Sequence, residues 1–423
     1  MRCIWSAALA PLTIALPVHA EDLDWLPEPA ADIPQSTATS QHFTARQFLE
    51  LGAGGSRQNG TAQWDWRGNL GWDSYCNFDM GESGVYATVN GRIDLDAEDD
   101  RKLREDDASV TLREAYLGQS LDGGLTLDAG RINVRDGVAI GFNPTDVFRE
   151  GSLLARRTED PVRLRNSRLG TVGIRMQYQH AASSIAALVA PEINGANDYD
   201  WYDPRFDATN TRTNAYLRFT PGQLGGVYSN LVLHRATNGE ATLGFNLSDN
   251  IGQQGLAYLE FARARREPLL DAGSTMPGDA AWRSQLAGGF SYSTQTRQTL
   301  TLEYQYNGAA PGQRQWDALW NSGDATVIRA VFNEVARRQE PQSRHSVLAV
   351  LQWDRFLNHD GELQCLVRAN LQDNSRFGWC EWRYVRPQAE WSLSISPLQG
   401  SVQSEYGAAG QDWVIGARWR SYF

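Results

Sequence analysis

A chain of 423 residues has the length of two or three soluble domains, yet no linker divides it after residue 43. Its formal charge of −11 argues against a nucleic-acid partner. Mean hydropathy is −0.47, and no run after residue 20 nears the roughly 20 apolar residues of a membrane helix, which excludes a helical inner-membrane protein.

The N-terminus has the parts of an export signal. Arg2 supplies a minimal positive region, Ile4 to Pro17 an apolar core, and Val18-His19-Ala20 a small-residue site before Glu21. Cleavage is expected after Ala20. Residues 21–43, rich in Pro, Ala, Asp and Ser, read as a disordered periplasmic lead-in. Residues 44–423 remain for the folded part. Basic residues are almost all arginine, with Lys102 the sole lysine.

From there the dominant signal is alternation, the period of a strand. Trp64, Trp66, Leu70, Trp72, Cys76 and Phe78 alternate with Asp65, Arg67, Asn69, Asp73 and Asn77. Val85, Ala87, Val89, Ile93 and Leu95 alternate with Thr88, Asn90, Arg92 and Asp94. The pattern recurs around Val172–Gln179, Leu300–Asn307 and Leu363–Leu371. Arginine and aspartate stand mid-strand among large apolar residues, in segments longer than sandwich strands usually are. About eighteen strands can be counted, with sixteen the alternative because the first is weak. The joins alternate between short turns, such as 120–124, 180–184 and 294–297, and long runs, such as 97–107, 135–168, 191–209 and 308–343. With both termini periplasmic, the long runs face outward.

The last strand, Trp413 to Phe423, carries Trp413, Ile415, Ala417, Trp419 and Phe423 on one face and Gly416, Arg418 and Arg420 on the other. This strand, closed by an aromatic residue, resembles those of Gram-negative outer-membrane β-barrels. The resemblance implies that Trp419 and Phe423 belong to an assembly signal read by the barrel-assembly machinery. A second run, Leu112-Arg-Glu-Ala-Tyr-Leu117, then Gly130-Arg131, then Asp136 to Arg149 with its Gly-Phe-Asn-Pro-Thr-Asp core, is similar to a pattern in several outer-membrane channel families. It spans about forty residues and implies a barrel that passes a solute.

Within that run Asn143-Pro144 breaks the strand, and Asp146 is placed to accept backbone hydrogen bonds from a turn. In porins the loop at this place in the order folds into the lumen. By that analogy residues 135–168 form a constriction, with Asn143, Pro144, Asp146, Arg149, Arg156 and Arg157 among its residues. The alternative is a surface loop held by lipopolysaccharide phosphates. Loops of this length are commonly functional.

Other segments carry weaker signals. The acids between Asp94 and Asp107 match no calcium loop and read as a solvated tip. Asn197 to Asp203 mixes aromatics with acids, as both sugar-binding loops and membrane interfaces do. Between 315 and 339 the apolar residues Trp316, Leu319, Trp320, Val327, Ile328, Val331 and Val335 take helical spacing, with Gly323 a candidate break. Cys365 and Cys380 fall on consecutive strands. Alternation sets Cys365 opposite Trp382 and Cys380 opposite Val367, so the cysteines become diagonal neighbours, poorly placed for a bridge. Lipid-facing free thiols are the simpler expectation.

Five histidines in the mature chain show no recurrent pairing with serine or aspartate. No catalytic residue, metal or cofactor is assigned. The expected fold is therefore an all-β, transmembrane, antiparallel up-and-down barrel with a helix in one outer loop. Parity nominates Arg67, Arg92, Glu114, Asp128, Arg131, Arg175, Arg218, Glu260, Glu303, Arg368, Glu390, Arg418 and Arg420 as pore-lining, subject to bulges. The expected function is passive passage of small polar or anionic solutes, small molecules or saccharides, through a barrel in outer-membrane lipid and lipopolysaccharide. An export channel for an anionic exopolysaccharide and a plugged, adhesive barrel are the competing readings.

Overall fold

The computed structural model describes residues 43–58, 64–81, 84–98, 107–153, 158–195, 202–222, 227–269 and 280–423. The expected signal peptide, almost all of the lead-in, the acidic tip 99–106, residues 197–201, and Arg156 and Arg157 lie outside them. Phe43, placed in the lead-in by the sequence, begins the first strand.

Eighteen strands follow one another around a ring. They are β1 (Phe43–Gln58), β2 (Trp64–Asp79), β3 (Val85–Glu98), β4 (Ala108–Leu121), β5 (Leu125–Ile132) and β6 (Thr171–His180). Next come β7 (Ser183–Ala190), β8 (Asn214–Thr220), β9 (Tyr228–Ala236), β10 (Ala241–Ile251), β11 (Gly255–Arg266) and β12 (Ala281–Ser293). The ring ends with β13 (Gln298–Asn307), β14 (His345–Asp354), β15 (Gly361–Asn370), β16 (Arg376–Arg386), β17 (Ala389–Gln399) and β18 (Gln411–Tyr422). Each strand pairs antiparallel with its neighbours in sequence, and β18 pairs with β1. Closure leaves no edge strand, since each strand has a hydrogen-bonded neighbour on both sides.

Alternation sorts the side chains to two faces. Outward stand Leu231, Leu233, Leu243, Phe245, Leu300 and Leu302, all exposed. Tyr178 and Tyr292 edge this belt near one end, and Trp66, Trp282 and Trp413 near the other, the positions of interfacial aromatics. Inward stand Asp128, Asn246, Glu260, Glu303, Gln305 and Glu381, all buried. The polar groups lie inside and the apolar ones outside, the reverse of a soluble protein.

The joins alternate as the sequence suggests. Every join at the end holding Phe43 and Phe423 has seven residues or fewer. The other end carries the long connections 133–170, 191–213 and 308–344. The last of these holds α2 (Gln313–Asn321) and α3 (Ala325–Arg338), separated at Gly323, whose φ of +65° favours glycine. Their apolar faces meet through Trp316, Leu319 and Val331, and Asp324 caps α3 by accepting from the N–H groups of Thr326 and Val327.

The cysteine expectation is corrected. Cys365 lies directly opposite Cys380, with Cα atoms 4.1 Å apart, and the two form a disulfide. The register differs from the expected one by two residues because the β15–β16 join occupies 371–375, and the turn sets strand register. Leu363, not Cys365, faces Trp382.

Candidate functional site in the barrel lumen

Strand β5 and strand β14 are nine places apart in a ring of eighteen, so they stand on opposite walls. The connection 133–170 leaves β5 and reaches that opposite wall. Glu260 on β11 accepts the backbone N–H groups of Val138 (3.0 Å), Ala139 (3.2 Å) and Thr145 (2.8 Å), the Thr145 hydroxyl (2.8 Å) and the Asn143 amide (3.2 Å). Glu303 on β13 accepts those of Ile140 (2.7 Å), Gly141 (3.1 Å) and Phe142 (3.1 Å), and the Tyr258 hydroxyl (2.8 Å). Arg368 on β15 reaches the Gly141 carbonyl at 3.4 Å. A buried carboxylate costs several kcal/mol unless its lone pairs are filled, and here loop amides fill them.

Close approach makes this possible. At Gly141 a Cβ would stand 2.3 Å from Leu348, 2.6 Å from the Gln305 amide and 3.1 Å from Glu303, so a larger residue would displace wall side chains that glycine leaves in place. Apolar contacts complete the seat. Ala139 and Phe142 pack with Tyr258 and Ala287, Ile140 touches the Leu348–Trp379 cluster, and Phe148 packs with Ile132, Leu188 and Tyr216. Each fully buried large side chain contributes about 1.5–3 kcal/mol.

The rest of the connection is tied by charge. Asp136 accepts from Arg218 (3.0 Å) and from the Tyr216 hydroxyl on β8. Arg149 pairs with Glu340 (2.7 Å) of the β13–β14 connection, and Arg168 with Asp146 (2.7 Å). Asp146 is therefore held by an arginine, where the sequence suggested a turn cap. On the short helix α1 (Pro161–Asn166), Arg163 reaches Glu381 (3.7 Å) on β16 and Glu390 (3.5 Å) on β17. At the rim, burial raises the pKa of Glu150, but Arg212 and Arg337 outweigh it and hold the carboxyl well below its ordinary range.

A second network lines the wall that α1 faces. Glu50 accepts from Arg92 (2.6 Å) and Arg420 (2.7 Å), with Arg418 at 3.7 Å. Arg92 also meets Asp94 at 2.8 Å, and Arg420 meets Glu390 at 3.4 Å. Arg175 pairs with Asp128 at 2.9 Å. Among the described residues, Arg92, Arg149, Arg163, Arg168, Arg175, Arg218, Arg418 and Arg420 all have carboxylate partners.

Most nominated residues come together here, though their roles differ. Arg92, Glu390, Arg418 and Arg420 form the wall network, Asp128 and Arg175 a pair beside it, and Arg218, Glu260, Glu303 and Arg368 hold the loop. Arg67 lies on the inward face of β2 and is exposed. Glu114 faces inward because β4 bulges. Asn90 opposes Glu114 and Gly91 opposes Leu112, so Arg113 is the extra residue and both charged side chains turn inward. Arg113 meets Asp73 and Asn90, and Glu114 accepts from Asn90 (3.3 Å). Arg131 departs from expectation. It shares a face with the exposed Leu127 and Ala129, and its guanidinium donates to the carbonyls of Gly170, Pro204 and Arg205. Residues 204–206 cover it there, away from the lumen.

The loop's arginines, Arg163 among them, were expected to face carboxylates across the pore, whereas Glu50, Asp73, Arg113, Asp136 and Glu381 were not nominated. Parity alone would have found Glu381, since Trp382 opposite it in phase faces outward. Arg113 needed the bulge, and Asp136 needed the path of the loop. Trp419 pairs with Leu51 and Trp391 at the seam, and the Phe423 N–H donates to the Gln47 carbonyl at 2.9 Å.

No family model matches the sequence, and no curated protein matches it. Solved structures do share its fold. Acinetobacter baumannii OccAB1 superposes with a TM-score of 0.58 at 10% identity, over 92% of this chain and 98% of that one. Pseudomonas aeruginosa OccK8 (OprE) gives 0.54 at 9%, over 90% and 98%. The outer membrane protein OprD from Pseudomonas aeruginosa gives 0.51 at 12%, over 90% and 94%. At such identities the likeness is one of architecture: the chain is an eighteen-stranded barrel with the fold of these proteins.

Proposed function

We propose that this barrel sits in the bacterial outer membrane and passes small polar or anionic solutes passively, with the 133–170 connection as its constriction. The observation that carries the reading is the seating of that connection. Its backbone crosses the lumen and is fixed on the far wall by Glu260 and Glu303. A fixed polar backbone with arginine–carboxylate pairs on the facing wall orients solute dipoles and charges at close range. The apolar outer belt and the fold shared with OprD support the location. On this reading the short joins are periplasmic, the long connections face outward, and Trp419 and Phe423 address the assembly machinery.

The test is conductance of refolded, heat-modifiable protein in planar bilayers, with reversal potentials under a salt gradient. Steady opening with anion preference is expected. A folded barrel without conductance overturns the channel and leaves a plugged one.

A further inference from the structure

Strands β9 and β11 carry arginines where lipid-facing strands carry leucine. On β9 the outward positions read Leu231, Leu233, Arg235; on β11 they read Leu259, Phe261, Arg263, Arg265. Ala241 on β10 pairs with Arg235 on one side and Arg265 on the other. Arg235 and Arg265 thus flank one small residue, about 10 Å apart across two strand spacings, with Arg263 about 7 Å further along β11. All three belong to the end with the long connections.

These arginines differ from those of the lumen. Among the described residues none of the three has a carboxylate within ion-pair distance. Arg263 donates to the Ser284 hydroxyl (2.9 Å) and Arg265 to the Gly239 carbonyl (3.1 Å). Glu267 follows Arg265 by two residues without pairing to it, and Glu240 on the neighbouring turn is occupied by Arg212 at 2.8 Å. A charge on the lipid face is costly at the membrane midplane and inexpensive at its edge. The twelve residues of β11, at about 3.4 Å each and tilted about 40°, rise about 30 Å, so the arginines stand at the edge. Directly below them Leu233, Leu243 and Phe245 form an exposed apolar strip, and Trp282 stands beside Arg265 at the interface.

We propose that Arg235, Arg263 and Arg265 form a binding site for the phosphate of a phosphorylated outer-leaflet glycolipid of the lipid A class, whose acyl chains lie on the Leu233–Phe245 strip. The inference rests on the reading that this end faces the outer leaflet. Guanidinium forks match phosphate oxygens bidentately, and the leucines below match the chains. Cationic head contacts above an apolar strip are the complement of an anionic lipid, where a free anion would leave the strip unused.

The test is native mass spectrometry of the detergent-solubilised full-length barrel with bis-phosphorylated lipid A, fully dephosphorylated lipid A or inorganic phosphate. We expect the bis-phosphorylated lipid to be retained at least tenfold better than the dephosphorylated one. The R235Q/R263Q/R265Q variant should bring the two to the same level, and the triple lysine variant should restore much of the difference. Should the triple glutamine variant not fold, Arg235→Gln alone, at an exposed position, is expected to lower retention about threefold. Equal retention of the two lipids, or full retention by the glutamine variants, overturns the site. So does displacement of the lipid by millimolar inorganic phosphate, which would mark an adventitious anion site. Conductance of the same samples keeps the two readings apart: a silent barrel that still selects the phosphorylated lipid sinks the channel and leaves this site standing.

Discussion

Glu303 accepts the N–H groups of three successive loop residues, so its removal acts on the loop before it acts on a solute. Glu303→Ala strands three buried donors at about 1–3 kcal/mol each. Expected are a lower apparent melting temperature and a noisier, larger single-channel conductance, read side by side in circular dichroism and bilayers. Arg163 makes a different contribution, since its guanidinium meets both Glu381 and Glu390. Arg163→Gln uncovers two carboxylates, and the reversal potential should move toward cation preference with the fold unchanged. A third expectation concerns Glu405, in the β17–β18 connection. Burial pushes its pKa up to about 7, although Arg368 pulls the other way. Since the folded value lies above the unfolded one, the carboxyl's favourable contribution is complete below about pH 4.5 and is lost as pH rises through 7. The loss is about 1–3 kcal/mol. Glu405→Gln should flatten the change in melting temperature between pH 5 and pH 8; an unchanged slope would remove Glu405 as its source. Parity identified Glu260 and Glu303 as inward residues. It had no means of showing that their partners are backbone amides from a distant loop, because that pairing depends on Gly141 and the chain path.

At the scale of elements, alternation is legible wherever a strand is regular and fails where it is not. The β4 bulge put Arg113 and Glu114 on one face, and a two-residue register difference made a disulfide of two cysteines that looked diagonal. Both features come from backbone hydrogen bonding, which leaves no trace in the hydrophobic pattern. Helical spacing did mark the β13–β14 connection, and Gly323 divides it into two helices. The Cys365–Cys380 bridge closes a loop of fifteen residues, worth about 3 kcal/mol for a chain otherwise free. Since β15 and β16 are already paired along their length, the C365S/C380S variant should lose less than that. Non-reducing peptide mapping checks the bridge, and melting of the double variant checks its small effect.

For the whole molecule the decisive contact is the seam. Glu50 and Arg420 meet there across 370 positions of sequence, and the Phe423 N–H bonds Gln47. Every other strand pair joins sequence neighbours, so seventeen of the pairings are local and one is as remote as the chain allows. Ring closure over that span costs about 5 kcal/mol of chain entropy, and nothing repays it until β18 exists. Until β18 docks, β1 lacks its second partner, however far the rest of the sheet has been assembled. Throughout that interval the growing sheet has two open edges and a polar face with no enclosure. Time, then, is a hazard written into the topology: the chain stays vulnerable to aggregation until its final dozen residues are in place.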